Sequence, residues 1–357
     1  MSQARNVVIV GAGIGEKHLA GYQELPERYS VSAVCDINID RAKAVVGDNP
    51  EIDIMSDFDK VLHRRDIDLV DICLPPHLHL DASIAALEAG KHVICEKPLV
   101  SSLRDADRLA DKARQCGKVL SPVFQYRYGP ATAQLKALMR AGLTGRPLVA
   151  NIETHWNRGD DYYAVPWRGT WKGEQGGAVL GHAIHNHDLL CAIFGPVETL
   201  SALTTTRVND IEVEDCAAIS FQMTNGALAS SSITLGAADD TSRLKFCFEN
   251  LMAVSGSLPY APAEDTWTFT ARGSTSQSQI DDCLAHVDAG DSPKAGFAGF
   301  FEALADKLDG IAENHVSIED GRRSLELVSA IYHAARTKQT VSLPLSSDSP
   351  VYNGWLP

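Results

Sequence analysis

The chain has 357 residues, a length typical of about two or three domains. Its composition is that of an ordinary globular protein, with 45% hydrophobic and 22% charged residues. The net charge of −14 argues against nonspecific binding to nucleic acid or to an anionic membrane surface.

The first predicted elements are a strand, a glycine-rich turn, a helix, a second strand and an acidic residue. The first strand, 6–10, ends at a Gly-Ala-Gly-Ile-Gly turn, and the second, 29–35, ends at an aspartate. Glycines let the backbone approach a pyrophosphate, the helix N-terminus offers N–H groups, and the acid accepts hydrogen bonds from ribose hydroxyls. The pattern predicts a dinucleotide site made by Gly11, Gly13, Ile14, Gly15 and Asp36.

Two details refine the cofactor prediction. The third glycine, Gly15, comes one residue earlier than in G-x-G-x-x-G, so that Glu16 holds the usual place. The Asp36 carboxylate would repel a 2′-phosphate, which favours NAD over NADP. Arg41 argues the other way only if it reaches that phosphate, and its position predicts a solvated residue on the next helix.

Strands and helices keep alternating up to residue 124. The further strand-like runs are 68–74, 92–95 and 119–124, separated by helical patterns over 80–89 and 101–116. Strands that alternate with helices predict a doubly wound parallel sheet. Ligands bind such sheets beyond the carboxyl ends of the strands, where this chain carries Leu74 to His79 and then Glu96-Lys97-Pro98.

The pattern changes in the second part of the chain, because several strands follow one another without intervening helices. These strand-like runs are 148–156, 197–206, 215–223, 227–235, 243–248 and 266–271. They predict an α+β domain with a large, mainly antiparallel open sheet. We expect a Rossmann domain over 1–124 and a substrate-binding domain over 125–357. A sheet with one uncovered face also predicts a homo-oligomer.

With these motifs the chain resembles the glucose–fructose oxidoreductase/inositol dehydrogenase (Gfo/Idh/MocA) family of NAD(P)-dependent dehydrogenases. The resemblance runs nearly end to end, and its most specific stretch is Ala85 to Pro98 with the Glu-Lys-Pro run. It implies a Rossmann domain and a carboxyl-terminal domain with a broad open sheet, assembled as a homodimer or homotetramer. It also implies substrates that are mostly sugars, polyols and their derivatives.

The resemblance and the strand-end rule together define the expected cofactor contacts. They are Gly11, Gly13, Ile14, Gly15, Asp36, Arg41, Leu74, Pro75, His77, His79, Glu96, Lys97 and Gln125.

The resemblance also implies the catalytic residues. Lys97 corresponds to the active-site lysine, whose ammonium would stabilise an alkoxide-like transition state. The family's second catalytic segment, Gly-Gly-x-x-x-Asp-x-x-x-His-x-x-Asp, matches 176–188 and places His185 at its histidine, whereas Gly181 replaces its aspartate. We expect His185 to act as the base with Lys97. His182, three residues earlier, is expected to bind substrate hydroxyls or to relay the proton.

Aromatic and basic side chains around this segment are expected to form the substrate pocket. Aromatic faces stack on sugar C–H groups, and cations hold carboxylates or hydroxyls. The aromatic candidates are Trp156, Tyr162, Tyr163, Trp167 and Trp171. The expected substrate contacts are Lys97, Arg127, His155, Trp171, Lys172, His182 and His185, with Arg158 and Arg168 as further cations.

A metal site is an alternative use of the histidines. His182 and His185 offer two ligands, which His155 or Glu153 from the preceding strand would complete. The resemblance requires no metal, so none is predicted. His187 and Asp188 are expected to brace the helix.

The chain is therefore expected to be an NAD-dependent oxidoreductase. It would transfer a hydride between the nicotinamide and a secondary hydroxyl of a sugar, sugar acid or cyclic polyol. Two alternatives stay open, namely an isomerase or lyase that oxidises its substrate transiently and recycles bound NAD, and a non-catalytic NAD-bound sugar sensor.

The remaining sequence features concern location. The eight cysteines are widely spread and form no C-x-x-C motif, which is typical of reduced core thiols. No signal peptide is visible, and no apolar run approaches the roughly 20 residues needed to span a bilayer. We expect a cytoplasmic protein.

Overall fold

The computed structural model describes residues 4–288 and 293–357, which divide into two compact units. The first unit comprises the chain up to Phe124 together with Phe297–Leu325, and the second comprises Gln125–Gly296 and Glu326–Pro357. One break between the units falls after residue 124. Residues 297–325 lie in the first unit, although they fall within the second of the two domains expected from the sequence.

The secondary structure follows the predicted change of pattern. The strands are β1 (Arg5–Val10), β2 (Tyr29–Cys35), β3 (Asp53–Met55), β4 (Leu69–Ile72), β5 (His92–Cys95), β6 (Leu120–Pro122), β7 (Pro147–Asn157), β8 (Val197–Thr205), β9 (Cys216–Met223), β10 (Leu228–Thr234), β11 (Gly236–Phe248), β12 (Leu251–Val254), β13 (Thr268–Ala271) and β14 (Val341–Ser342). The helices are α1 (Gly15–Gln23), α2 (Ile39–Val46), α3 (Phe58–His63), α4 (His79–Glu88), α5 (Leu103–Cys116), α6 (Pro130–Arg140), α7 (Asp160–Tyr163), α8 (Trp171–Glu174), α9 (Ile184–Phe194), α10 (Gln277–Asp288), α11 (Gly296–Leu308) and α12 (Ile318–Thr337). Among the residues described, no helix combines the length and the apolar character needed to cross a bilayer.

The first unit contains a six-stranded parallel sheet in the order β3-β2-β1-β4-β5-β6. Val7, Val8 and Ile9 of β1 are fully buried, as expected for a parallel strand covered on both faces. The order reverses between β1 and β4, which is where doubly wound sheets bind their ligands. The predicted Rossmann architecture is confirmed.

Aromatic packing explains why α11 belongs to the first unit. The ring of Phe301 stacks on Tyr22 of α1 at a centroid distance of 3.9 Å, and the ring of Phe297 lies 4.5 Å from that of His18. Gly21 lies so close that an added Cβ would be 2.9 Å from both phenylalanines. The spacing of the apolar residues over 297–308 predicts a helix, but it does not indicate the partner of that helix.

The second unit contains an eight-stranded sheet in the order β13-β12-β11-β7-β10-β9-β8-β14. Among these strands only β7 and β10 pair in parallel, so the mainly antiparallel prediction is confirmed. Along β7, Ile152, Thr154 and Trp156 are buried, because successive side chains point to opposite faces. Thr154 accepts a 2.8 Å hydrogen bond from Asn186, which shows that α9 covers this face.

Candidate functional site

The carboxyl ends of the parallel strands are aligned at one edge of the first sheet. Val10 pairs with both Cys35 and Ile72. Cys95 in turn pairs with Ile72 and with Pro122. The loops that start at this edge carry Gly11, Asp36, Leu74, Glu96 and Lys97, so the tertiary structure brings together residues from four segments of the sequence.

The three glycines of the first loop have different surroundings. Gly11 has a φ of +103°, and an added Cβ would lie 2.4 Å from the carbonyl oxygen of Cys73. An added Cβ at Gly15 would lie 2.7 Å from Cγ2 of Ile9, so this glycine allows α1 to pack on β1. Gly13 is exposed, and nothing lies within 4 Å of its added Cβ. In a dinucleotide-binding motif the three glycines allow, in order, a tight turn, the approach of the backbone to the pyrophosphate, and close packing of the helix on the strand. The surroundings of Gly11, Gly13 and Gly15 meet these three requirements, although the third glycine comes one residue early.

Asp36 is fixed beside this turn. Its Oδ2 accepts a 2.8 Å hydrogen bond from the backbone N–H of Ala12, and its Oδ1 accepts one of 2.7 Å from Asn38. Arg41 lies on α2 as predicted, with its side chain 54% exposed and its Nη1 at 3.7 Å from Oδ2 of Asp36. The carboxylate is therefore held at the end of β2, the position required to bind a ribose.

Three exposed apolar side chains flank this edge. Ile14 follows β1, Ile37 follows β2, and Leu78 follows β4. Their exposed fractions are 43%, 93% and 42%, respectively. Exposed apolar surface beside a ligand-binding edge indicates surface that a ligand covers. Ile14 was among the predicted cofactor contacts, whereas Ile37 and Leu78 were not, although Ile37 directly follows Asp36.

His79 has a different role from the one predicted. It is fully buried, and its two ring nitrogens lie 2.7 Å from the carbonyl oxygens of Leu74 and Pro98. His79 therefore ties the loop after β4 to the loop after β5 and is not a cofactor ligand, which corrects the prediction. Pro75 and His77, in the same loop, are exposed.

The loop after β5 carries Lys97 on an anchored backbone. The side chain of Lys97 is half-buried, and its peptide bond to Pro98 is cis. The backbone N–H of Lys97 donates a 2.9 Å hydrogen bond to Oε2 of Glu96. Glu96 itself is buried. The lysine thus lies at the ligand edge of the sheet, on a backbone that a neighbouring carboxylate holds.

In the second unit, the predicted histidines lie on a π-helical turn, Val179–Ala183, and on α9, which follows it directly. His182 and His185 are each 5% exposed. The ring of His185 stacks on Tyr126 at 4.6 Å, whereas the ring of His182 meets Trp156 edge-on at 5.1 Å. Single π-helical turns occur frequently at functional sites. The two imidazoles are therefore held against aromatic rings from different segments.

A buried glutamate holds the amino end of this histidine segment. Glu214 accepts hydrogen bonds from the backbone N–H groups of Gly177 at 3.1 Å and Val179 at 2.9 Å. The hydroxyl of Tyr332 donates to the same carboxylate at 2.9 Å. Burial raises the pKa of Glu214 to about 7. No signal in the sequence links Glu214 to a segment more than 30 residues earlier, and the sequence analysis missed it.

The last helix and the carboxyl-terminal tail brace the segment before the histidines. Trp355 is fully buried, and its Nε1–H donates to the carbonyl oxygen of Gln175 at 2.6 Å. The ring of Trp171 lies edge-on to Tyr332 at 5.6 Å and beneath the guanidinium of Arg336 at 5.5 Å. Trp171 therefore packs against α12, and its neighbour Lys172 is exposed.

The candidate substrate-binding arginines already have acidic partners. Arg127 forms a bidentate pair with Asp188, with N–O distances of 2.7 and 2.6 Å. Arg158 pairs with Asp240 at 2.9 Å, and Arg168 lies 3.8 Å from Glu174. The expectation that these cations hold a substrate carboxylate is not supported, because each guanidinium already lies beside a carboxylate of the protein.

Two of the five aromatic candidates, Trp156 and Tyr162, lie beside His182, and Tyr260 joins them. Tyr162 lies 5.7 Å from His182, and Trp156 lies 4.8 Å from the half-exposed Tyr260. The guanidinium of Arg158 lies over the rings of Trp156 and Tyr162 at 5.0 and 5.4 Å and donates to the Tyr260 hydroxyl at 2.8 Å. Tyr260 is about 100 residues away in sequence, so only the fold could identify it.

His155 does not belong to this group, which corrects a second prediction. It alternates with Thr154 and Trp156 along β7 and so points to the opposite face of the sheet, where its Nε2 lies 2.9 Å from Oγ of Ser232. Glu153 shares that face. Neither residue can complete a metal site with His182 and His185, because the strand itself lies between them.

Two other polar residues of the sequence analysis are buried at least in part. His187 is a buried brace, with Nε2 at 2.9 Å from Oγ of Ser231, and burial lowers its pKa to about 4. Gln125 is the first residue of the short helical turn that contains Tyr126. Its side-chain Oε1 is buried and accepts no hydrogen bond from the described residues, so a bound ligand is a suitable donor for it.

Comparisons with known proteins cover both units. A model for GFO_IDH_MocA, an oxidoreductase family with an NAD-binding Rossmann fold, matches residues 5–124, and a GFO/IDH/MocA C-terminal domain model matches 132–257. The uncharacterized oxidoreductase YrbE of Bacillus subtilis is 27% identical over 280 residues, which cover 77% of this chain and 78% of that protein. The D-glucoside 3-dehydrogenase of Escherichia coli is 30% identical over 198 residues, covering 54% of this chain and 55% of that protein.

Solved structures match over nearly the whole chain. The WlbA dehydrogenase from Chromobacterium violaceum, in complex with NADH and UDP-GlcNAcA, is 29% identical with a TM-score of 0.83 and covers 97% of this chain and 98% of that one. A levoglucosan dehydrogenase, in complex with NADH and levoglucosan, is 23% identical with a TM-score of 0.77 and covers 96% and 100%. At that identity the second likeness shows the fold alone.

Proposed function

Since the chain belongs to the GFO/IDH/MocA oxidoreductase family, an NAD-binding family of dehydrogenases, we propose that it oxidises a secondary hydroxyl of an uncharged sugar or cyclic polyol. The residues at the sheet edge fit the cofactor. Gly13 leaves open space for a pyrophosphate, Asp36 is held where a ribose binds, and Ile37 offers exposed apolar surface. Bound NAD supplies the hydride acceptor.

Lys97 carries the proposal. It follows β5 at the edge where ligands bind, and its backbone is anchored by Glu96. Its ammonium would donate a hydrogen bond to the reacting hydroxyl oxygen and so stabilise the negative charge that develops there as the hydride leaves.

The histidines supply the second part of the proposal. His185, held against Tyr126, would accept the proton of the reacting hydroxyl, because an imidazole exchanges protons near neutral pH. His182, held against Trp156, would orient a neighbouring hydroxyl of the substrate. Gly181, which replaces the family's aspartate, leaves these two imidazoles as the titratable side chains of the turn from Val179 to His185.

The charges around His182 support an uncharged substrate. Arg158 and Arg168 both lie over the ring of Tyr162, and each has a protein carboxylate within 4.0 Å. A substrate carboxylate would compete with these acids for the guanidinium groups. Aromatic rings beside paired charges suit the C–H face of a neutral sugar ring instead.

A variant of Lys97 tests the catalytic assignment. A panel of myo-inositol, levoglucosan, methyl glucosides and glucuronic acid would be assayed with NAD by absorbance at 340 nm. We expect Lys97→Ala to lower turnover by about 100-fold or more while NADH affinity, measured by fluorescence titration, stays within about threefold. Lys17→Ala, an exposed lysine of α1, is the matched control. Unchanged turnover in Lys97→Ala would remove the assignment.

The same assay distinguishes the alternative functions. Stoichiometric NADH release indicates net oxidation, whereas product formation without NADH indicates a recycled cofactor. Sugars that raise the melting temperature without any turnover would indicate a sensor.

We also propose that copies of the chain associate through the outer face of the eight-stranded sheet. Val149 and Leu228 pair across β7 and β10 on that face, and Leu203 of β8 shares it. All three are exposed, which is typical of an interface. Light scattering should give a dimer or tetramer, and a Leu203→Glu/Leu228→Glu double variant should give a monomer. A monomeric wild type would refute this.

A further inference from the structure

A buried ionic network lies behind the loop that carries Lys97. His18 of α1 is fully buried, with Nδ1 at 2.8 Å from Oδ2 of Asp71 and Nε2 at 3.1 Å from Oε1 of Glu96. The hydroxyl of Tyr22 donates to Oδ2 of Asp71 at 2.9 Å. All of these groups belong to the first unit. The network thus joins the first helix of the unit to the loop after β5.

The geometry determines the charge of His18. Both ring nitrogens face carboxylate oxygens, and an ionised carboxylate can only accept hydrogen bonds. With both carboxylates ionised, both nitrogens donate and His18 is an imidazolium. Although burial disfavours that form, the charge of Asp71 and the nearby Cys73 raise the pKa of His18 well above its usual value.

A metal ion is a poor explanation for the same cluster. His18, Asp71 and Cys73 offer ligand atoms within 4.8 Å of one another. Metal–ligand bonds of about 2 Å would hold the ligand atoms of a tetrahedral ion more than about 3 Å apart. The nitrogen of His18 and the oxygen of Asp71 are closer, at 2.8 Å, which is the distance of a charge-assisted hydrogen bond.

Glu96 connects this network to Lys97. One carboxylate oxygen, Oε1, is held by His18, and the other, Oε2, accepts the backbone N–H of Lys97 at 2.9 Å. A buried carboxylate without its cationic partner is costly and would turn towards other donors. Loss of the contact from His18 would therefore release the backbone of Lys97 as well.

We infer that His18 is a positioning residue, which holds Glu96 and through it fixes the backbone that presents Lys97 to the substrate. The inference rests on the proposed function, because it assigns His18 a role in catalysis only if Lys97 has one. A histidine that merely fills the core would need its contact with Asp71 but not its contact with Glu96.

Two amide variants separate these readings. The side-chain nitrogen of asparagine occupies the place of Nδ1, and that of glutamine reaches the place of Nε2. His18→Asn therefore keeps a donor for Asp71 and loses the one for Glu96, whereas His18→Gln does the reverse. Both remove a buried imidazolium, so both lower stability, and a purely structural role predicts similar activity in the two variants.

The first measurement needs no substrate. Amide hydrogen exchange, followed by mass spectrometry on the peptide that contains Lys97, should be about tenfold faster in His18→Asn than in wild type, because one hydrogen bond of about 1.4 kcal/mol is lost. In His18→Gln it should stay near the wild-type rate. Equal exchange in both variants would overturn the inference.

The second measurement uses the substrate most active in the panel described above. His18→Asn should lower kcat by about 100-fold with KM for NAD nearly unchanged, because a displacement of about 1 Å at a catalytic group has that effect. His18→Gln should retain most of the activity. If Lys97→Ala abolishes turnover but both His18 variants have equal kcat, only this inference fails. If Lys97→Ala stays active, the proposed function itself fails.

Discussion

The two units each hold a functional segment with a buried carboxylate, but they stabilise that carboxylate differently. Glu96 in the first unit bonds to an imidazolium, His18, and to one backbone N–H. Glu214 in the second unit bonds to two backbone N–H groups and to the hydroxyl of Tyr332. A full charge is a direct hydrogen-bond partner of the carboxylate in the first case, whereas the described hydrogen-bond partners in the second are neutral N–H and O–H groups. The pKa of Glu214 is accordingly raised to about 7.

This difference predicts different responses to substitution and to pH. The first network is built from charged side chains, so removing one of them leaves a neighbouring charge buried and unpaired. The second depends on close approach of the backbone, so steric changes should affect it most. The predictions below test each side of the comparison.

The largest expected effect is that of Gly177→Ala. An added Cβ would lie 1.8 Å from the carbonyl oxygen of Glu214, so the histidine segment would have to move away from its anchor. We expect the free energy of unfolding in urea to fall by about 3 kcal/mol. Gly181→Ala is the matched control, because nothing lies within 4 Å of its added Cβ. Similar urea midpoints for the two variants would contradict the close approach.

The second prediction concerns the pH dependence of Glu214. Its folded pKa of about 7 exceeds the ordinary value of 4.5, so the folded protein binds this proton more tightly than the unfolded chain does. Stability from this group is therefore greatest at acidic pH and falls as the pH rises from 4.5 to 7. Relative to Glu214→Gln, the wild type should lose at most about 1.4 kcal/mol per pH unit and about 2.6 kcal/mol over the whole window. A constant difference across the window would show that Glu214 does not titrate there.

The third prediction places His18 in a different pH window. Its folded pKa is raised, so its contribution to stability is complete below the ordinary value of 6.5 and is lost as the pH rises through the folded pKa. The difference in unfolding free energy between wild type and His18→Gln should be constant at acidic pH and decrease at alkaline pH. A difference that instead grows with pH would show that His18 is neutral in the folded protein.

The smallest effect concerns cofactor choice in the first unit. Asp36→Ser removes the carboxylate that repels a 2′-phosphate and leaves Arg41, now 3.7 Å from Asp36, available to attract it. We expect the ratio of NADP to NAD affinity to rise about tenfold, equivalent to about 1.4 kcal/mol. Arg41→Ala in the same background should reverse that gain. An unchanged ratio would mean that Asp36 does not set the preference.

Local patterns predicted the first unit well, because each of its parts is encoded within a few residues. The β-branched runs, the glycine turn and Asp36 lie within one strand–helix–strand unit. Gly15, the third glycine, lies against Ile9 although it comes one residue early, because this contact depends only on how closely α1 approaches β1. The packing of α11 on α1 was not predicted, because an aromatic helix face does not specify its partner.

The candidate substrate site was predicted less well. The histidine segment and the aromatic side chains were identified, but the partners of the arginines and the anchor Glu214 come from distant strands. His155 was misassigned because alternation along β7 separates His155 from Trp156 but does not show which face a helix covers. The contact between Thr154 and Asn186 answers that question.

The sequence by itself determined the architecture, the cofactor edge and the presence of a lysine and two histidines, because periodicity and short motifs are properties of neighbouring residues. Only the tertiary structure decided which side chains remain available to a ligand. His79 contacts backbone carbonyl oxygens, Arg127 forms an ion pair with Asp188, and Glu96 forms one with His18. The contacts of His79 with Pro98, of Arg127 with Asp188 and of Glu96 with His18 join residues from about 20 to about 80 positions apart. Hydrogen bonding across such separations is set by how the chain folds rather than by local pattern.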